Sequence, residues 1–277
     1  ALEAAGCEII RIAVPDEAAA MAVDRIKEQI TIPLIADIHF NYKLAIMCAE
    51  RGIDALRINP GNIGGEERVK AVAEACRRKR IPIRIGVNGG SLEKSLRAKY
   101  GGVTAEALVE SAMGHVKLLN RYDFDDICIS VKCSDVPLTM RSYTLLSQQT
   151  DYPLHLGVTE AGTPAMGMIK SAMGIGGLLC MGIGDTMRVT LTADPVEEVY
   201  AAQRILRAAG LRRDGVNLIA CPTCGRTRID LIPMAEEVER RLAGCKKNIT
   251  VAVMGCAVNG PGEASAADVG IAGGDGE

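Results

Sequence analysis

The stretch ALRINPGNIGGEERVKAVAEACRRKRIPIRIGVN (55–88) reads as strand, helix, strand. Its ends, residues 55–61 and 82–88, are β-branched runs, and residues 66–79 between them carry apolar side chains at helical spacing. Two strands joined through a single helix run parallel, because a crossover of that length brings the chain back to the same end of the sheet. The same alternation extends in both directions, with further strands at 9–15, 33–40, 126–132, 154–161 and 187–193, and with a helix at 104–122. Seven such units exceed a typical flavodoxin-like order and fall one short of a complete (β/α)8 barrel. The predicted fold class is therefore α/β, a TIM-type (β/α) barrel with its first unit missing from this chain, plus a small α/β domain. A doubly wound open sheet is the alternative. The opening ALEAAGCEIIRIAVP reads as a helix end entering a strand, and the close at GIAGGDGE leaves a strand uncovered, so both ends read as truncated.

The helix over 194–212 starts at Asp-Pro, a good helix start, and ends beside Gly210. After RRDG the pattern changes to a strand entering a Cys-rich turn (216–226), a helix (233–244) and a second strand entering a second turn (249–256). This places a boundary near 213, between a barrel at 1–213 and a second domain at 214–277. With 32 Lys and Arg against 34 Asp and Glu, the net charge of −2 gives no reason to expect nucleic acid or a membrane surface as main partner. No apolar run approaches the ~20 residues of a membrane helix, and no signal segment is evident, which predicts a cytoplasmic protein. Ten cysteines in such a chain favour metal binding over disulfides. Cys7, Cys48, Cys76 and Cys180 sit among apolar residues and read as small hydrophobes.

Polar residues interrupt the strands at every second position, so they share one face. Arg57 and Asn59 alternate with Leu56 and Ile58, and Arg84 and Asn88 with Ile83, Ile85 and Val87. Asp37 pairs with His39, Ser130 with Lys132, and Arg188 with Thr190; Arg11 stands alone and Glu160 ends its run. The outer face of a barrel strand packs on helices and must be apolar, so the polar set points inward or to the mouth. Five cations, Arg11, Arg57, Arg84, Lys132 and Arg188, then converge, and Asp37 with Glu160 does not balance them. Unpaired buried charge is costly, and arginine forks suit a phosphate or diphosphate. Internal ion pairs are the competing explanation. The glycines of SAMGIGGLLCMGIGDT (171–186) lack the nucleotide-binding spacing and read as a small-faced packed helix with a loop before the next strand.

CPTCG places Cys221 and Cys224 at C-x-x-C spacing directly after a strand, and MGCAVNGPGE brings Cys256 and, seven residues on, Glu263. Three thiolates make a half-cage, and an iron–sulfur cluster normally takes four. The fourth ligand is then Glu263, Cys245 or an exogenous group. A zinc ribbon is the competing reading, with one clear cysteine pair but no second one; a thioredoxin-like redox pair leaves Cys256 unexplained.

The strings ADIHF, RINPGNIG, RIGVN-GSLE, SVK-SDV, LHLG-TEAG, GIGDT-RV, ADPVEE, ACPTC-R and GC-VNGPGE occur in this order between about residues 7 and 274. Together they resemble the 4-hydroxy-3-methylbut-2-enyl diphosphate synthase family of the methylerythritol phosphate isoprenoid pathway. The resemblance implies a barrel plus an iron–sulfur domain, with a [4Fe-4S] cluster held by Cys221, Cys224, Cys256 and Glu263. It implies reductive opening of 2-C-methyl-D-erythritol 2,4-cyclodiphosphate with electrons from reduced flavodoxin or ferredoxin. It also implies a head-to-tail homodimer in which one subunit's cluster domain caps the other's barrel. Family contacts map onto Arg11, Asp37, Arg57, Arg84, Asn88, Lys132, Glu160, Arg188, Thr190 and Asn259, with Glu160, Asp37 and Lys132 as the catalytic candidates and Glu160 as proton donor. The chain lacks the family's first strand and helix, its tail stops early, and Thr190 stands where relatives often have Ser. Two rival readings are a phosphate-ester barrel of the dihydropteroate-synthase kind with a zinc-bearing tail, and a pure electron-transfer module.

Overall fold

Between residues 34 and 132 the runs in which polar and apolar residues alternate become strands with buried apolar side chains. The computed structural model describes residues 1–258 and 260–274, and the chain divides into two compact units, Ala1–Ile205 and Leu206–Glu277. In the first unit β1 (Ile10–Ala13), β2 (Leu34–Ile38), β3 (Ala55–Ile58), β4 (Ile83–Asn88) and β5 (Ile127–Lys132) form one parallel sheet in sequence order. β6 (His155–Leu156) and β7 (Thr186–Met187) pair in parallel beside it, joined to β5 by a bridge between Ile129 and Leu154. Side chains such as Leu34, Ile38, Leu56, Ile58, Ile83, Ile85 and Ile129 are fully buried in the main core. Helices Tyr42–Glu50, Glu66–Lys79 and Ala105–Asn120 cross between the strands. Local chemistry sets their ends: Thr104 accepts from the Ala107 N–H, and Asp135 accepts from the Leu138 N–H at the start of Val136–Ser147. Gln203, on the helix Pro195–Ala208, donates to the Ala5 carbonyl at 2.8 Å, so the end of this unit reaches back to the segment before β1.

The last two strands are shorter than their patterns. Residues 154–161 and 187–193 predict full strands, yet only two residues of β6 and two of β7 join a ladder, and β7 starts one residue early. A side chain explains part of this. The fully buried Tyr143 hydroxyl accepts from the Val131 N–H at 3.2 Å and donates to the His155 carbonyl at 2.5 Å, standing in for ladder bonds between β5 and β6. Burial pushes this phenol's pKa well up, so it keeps its proton. Tyr143→Phe strands a buried N–H and a buried carbonyl. It is expected to lower stability by about 1–3 kcal/mol, seen as a lower urea midpoint at unchanged slope. An unchanged midpoint means the hydroxyl contributes nothing.

The glycine-rich run forms helix Pro164–Ser171, a π turn at Ala172–Gly176 and helix Gly177–Cys180. Its glycines are the small face: a Cβ on Gly174 would come within 2.6 Å of Val158, and one on Gly177 within 2.9 Å of Met140. Cys48 and Cys76 are buried as expected, but Cys180 is exposed at this helix end and Cys7 is half-buried. An apolar sequence neighbourhood does not say which way a helix terminus faces.

In the second unit β8 (Val216–Ala220), β9 (Ile249–Met254) and β10 (Val269–Ala272) form a parallel sheet in the order β10-β9-β8. Helix Leu231–Leu242 connects β8 to β9, and the short helix Gly260–Ser265 connects β9 to β10. Gly260 is tightly placed, since a Cβ there would lie 3.1 Å from Ala272 and 3.2 Å from Met254. No helix among the described residues is long and apolar enough to cross a membrane.

Candidate functional site

Strand register brings the inward polar residues to common levels. Arg57 lies across from Asp37 on one side and Arg84 on the other, and Asn88 lies across from Lys132. Asp37 takes Arg11 Nη1 at 2.5 Å on one oxygen and Arg57 Nη1 at 3.0 Å on the other. Arg57 also donates to the Gly86 carbonyl at 3.2 Å, and the Asn88 amide oxygen, oriented by this network, accepts from Arg57 at 3.3 Å. Arg188 is 3.7 Å from Glu198, whose other oxygen accepts from the Leu191 N–H. Glu198 lies on a helix, beyond the reach of strand parity, so the inward pattern missed it as a counter-ion.

Asp37 and Glu198 thus answer part of the positive charge. Arg84 and Lys132 are ion-paired to no carboxylate among the described residues, and the buried Nε of Arg84 has no hydrogen-bond partner. Burial lowers the pKa of Arg84. Burial, reinforced by the Arg84 and Arg57 guanidiniums, pushes Lys132 down to about 7. An arrangement that depresses its own ammonium and leaves a donor bare is complementary to an anion. Charge returns to Lys132 when an anion arrives. Above pH ~7 the amine is largely neutral in the empty site, so binding takes up a proton; well below pH ~7 it is already charged and uptake vanishes. Titration with inorganic sulfate, whose charge is constant here, in buffers of different ionisation enthalpy is expected to show uptake of up to about one proton at pH 8 and none at pH 5.5. Equal uptake in Lys132→Met would remove Lys132 from the anion site.

Two inward glycines make room for these cations. A Cβ on Gly86 would sit 2.2 Å from Arg57 Nε, and one on Gly157 2.9 Å from Lys132 Nζ. Glycine at an inward position beside a cation on the neighbouring strand is a signal that sequence reading could have used. His155 is another residue it missed: buried, two residues before Gly157, with Nδ1 2.9 Å from Thr186 Oγ1. Among the parity candidates, Asn59 instead caps the helix Pro60–Ile63 by accepting from the Gly61 N–H. Ser130 donates to the Ile85 carbonyl, and His39 is exposed, 4.0 Å from Asp37. Thr190 is half-buried and Glu160 exposed. Glu160 adopts φ 52°, a left-handed conformation that costs a non-glycine residue energy and is common where function fixes a side chain.

The second unit carries its own site. Cys221 follows β8 and Cys256 follows β9, and hydrogen bonds knit the two turns together. The Cys221 N–H donates to the Val253 carbonyl, the Gly255 N–H points at Cys221 Sγ (3.1 Å), and the Arg228 N–H donates to the Gly255 carbonyl. Hydrogen bonds from Arg226, backbone and then side chain, pull the Cys224 thiol pKa down. Cys221, Cys224, Cys256 and Glu263 line one cavity of about 310 Å³, together with Arg226 and Met254; Cys245 is not among its walls. Among the described residues no three Cys, His, Asp or Glu side chains converge as they would around a single ion. The donors instead surround a volume. Asn259 lies outside the described residues.

Two family models match: one described as GcpE TIM-barrel domain over residues 1–203, and one described as GcpE protein C-terminal domain over 217–277. A protein of Caldanaerobacter subterraneus named 4-hydroxy-3-methylbut-2-en-1-yl diphosphate synthase (flavodoxin) is 63% identical over 276 residues, covering 100% of this chain and 78% of the relative. Relatives of the same name from Clostridium perfringens and Geobacter sulfurreducens are 62% and 63% identical, with 79% and 78% of their lengths covered and all of this chain. Among solved structures, a dihydropteroate synthase from Stenotrophomonas maltophilia aligns with TM-score 0.51 at 13% identity, over 76% of this chain and 84% of that one. One from Clostridium difficile aligns with TM-score 0.52 at 14% identity, over 75% and 84%. At such identity the likeness shows the barrel fold alone.

Proposed function

The chain belongs to the GcpE family, and from that premise we propose that it opens 2-C-methyl-D-erythritol 2,4-cyclodiphosphate reductively to 4-hydroxy-3-methylbut-2-enyl diphosphate, a step of the methylerythritol phosphate route to isoprenoids. It is an oxidoreductase, like the relatives named for this synthase. The observation that carries the substrate is the positive charge on the inward strand faces, where Arg84 and Lys132 have no carboxylate among the described residues to balance them. The rival dihydropteroate-synthase reading rests on fold likeness at 13–14% identity, against 63% for the synthase relatives.

Cys221, Cys224, Cys256 and Glu263 would hold a [4Fe-4S] cluster, and the fit rests on the cavity these three thiols and one carboxylate share. Once bound, such a cluster supplies electrons and, at the iron held by the weaker carboxylate ligand, a Lewis-acidic position for a hydroxyl oxygen. The chain's own residues do the rest. Arg11 and Arg57, fixed by Asp37, and Arg84, Asn88, Lys132, Arg188 and Thr190 hold the diphosphate, with Asn259 assigned to the same group. Fixed cations cost no reorganisation when charge develops on the departing diphosphate oxygen. Glu160 gives a proton to the hydroxyl that leaves as water; two electrons and two protons balance the loss. Reduced flavodoxin, the donor in the relatives' name, or ferredoxin supplies the electrons. In the proposed assembly two chains pair head to tail in a cytoplasmic setting, each cluster unit serving its partner's barrel.

The deciding test is anaerobic turnover of the cyclic diphosphate with a chemical reductant, alongside iron and sulfide analysis. About four of each per chain and product formation are expected; one zinc and no visible absorption would overturn the redox reading. Glu160→Gln is expected to lose about 10²–10⁴-fold in kcat with KM little changed, and full turnover in that variant removes the proton-donor role.

A further inference from the structure

Lys132 packs against the chain two residues beyond His155: at Gly157, just past the end of β6, a Cβ would lie 2.9 Å from Lys132 Nζ. His155 is only 6% exposed. Its Nδ1 sits 2.9 Å from Thr186 Oγ1, the residue directly across the β6–β7 ladder. Its Nε2 is buried with no hydrogen-bond partner among the described residues. The Arg84 Nε is buried and bare in the same way, and Arg84 is only 7% exposed. Two unpartnered polar atoms, each in a side chain more than nine-tenths buried, occur within one cationic interior. Such atoms are rare in a folded protein and mark a place for a missing partner.

We propose that His155 is a further diphosphate-binding residue: its imidazole, anchored by Thr186 at Nδ1, presents Nε2–H to the phosphoryl group held by Arg84 and Lys132. This rests on the cyclic diphosphate reading above. The chemistry of the neighbours decides the direction of the bond. Arg84 Nε can only donate, so the species that completes it is an acceptor. The groups bearing on His155 are Lys132, Arg84 and Arg57, and with burial they keep the ring uncharged. An uncharged ring has one N–H and one lone pair. With an acceptor in the interior, the N–H belongs at Nε2 and the Thr186 hydroxyl donates to Nδ1. Such a ring adds a donor to an already crowded cationic site without adding a sixth positive charge.

The test measures binding of inorganic diphosphate to the full chain by calorimetry for wild type, Arg84→Gln, His155→Gln and His155→Asn. The amide nitrogen of Gln reaches roughly where Nε2 stands, and that of Asn roughly where Nδ1 stands. His155→Asn is expected to weaken binding about 10- to 100-fold while His155→Gln stays within about threefold of wild type. The reverse pattern shows that only the Thr186 anchor matters and overturns the proposal. Unchanged binding in both His155 variants, with loss in Arg84→Gln, overturns it and leaves the diphosphate reading standing. No binding by wild type overturns both. A readout independent of variant folding is the 15N spectrum of His155 in wild type with diphosphate bound. A protonated Nε2 and a bare Nδ1 are expected, and the opposite tautomer overturns the proposal.

Discussion

Gly86→Ala is expected to weaken binding of the cyclic diphosphate about 100-fold while costing only about 1–3 kcal/mol of stability. The added methyl would lie 2.2 Å from Arg57 Nε and 2.6 Å from its Nη2, so the guanidinium has to leave. In leaving, it gives up Asp37 at 3.0 Å and the Gly86 carbonyl at 3.2 Å. Asp37 then answers Arg11 alone, and the shared network that aims both cations is lost. The backbone at Gly86 is ordinary strand, so the effect is steric and not conformational. Gly90→Ala is the matched control, because a Cβ there meets nothing within 4 Å; its binding is expected to match wild type. Equal binding by both variants would mean that Arg57 has no part in holding the substrate.

Cys256→Ala is expected to abolish turnover, by at least about 10³-fold, and to lower iron well below about four per chain. Cys256 stands at the end of β9, in a turn tied to the Cys221 turn through Gly255, so its loss opens one wall of the cavity. Cys245→Ala, which removes a thiol outside that cavity, is expected to keep iron and turnover. Full iron in Cys256→Ala would reassign the cluster ligands. Mixing Cys256→Ala chains with Gly86→Ala chains offers a further check. The proposed head-to-tail pair would contain one site with an intact barrel and an intact cluster unit, so at substrate levels too low for Gly86→Ala to bind, activity is expected to rise in the mixture. Its absence counts against the shared-site assembly.

The order of parallel strands and the inward polar set were legible because both depend on periodicity. The outer faces of β2 to β5 must be apolar to meet helices, so Asp37, Arg57, Arg84 and Lys132 had one direction left. The Cys-x-x-Cys turn and Cys256 were legible because each follows a strand directly. Parity failed where an element ended. It grouped Asn59 with Arg57, yet Asn59 sits where β3 gives way to a helix and its side chain caps that helix. It extended β6 and β7, and beside β6 a tyrosine hydroxyl from a helix occupies the ladder position against β5.

The fold class, the cationic set on the inward strand faces and the grouping of the cysteines at two strand ends were readable from residue type at fixed spacing. Which charges are answered depends on contacts made across the fold. Glu198 reaches Arg188 from a helix, Asp37 is shared by two arginines, and among the described residues Arg84 and Lys132 are left without a carboxylate. Gly86 and Gly157 are space reserved for Arg57 and Lys132, and the buried Nε2 of His155 has no hydrogen-bond partner among the described residues. Ion pairs and steric vacancies are made between strands and helices distant in sequence, at separations of a few ångströms that no local pattern encodes.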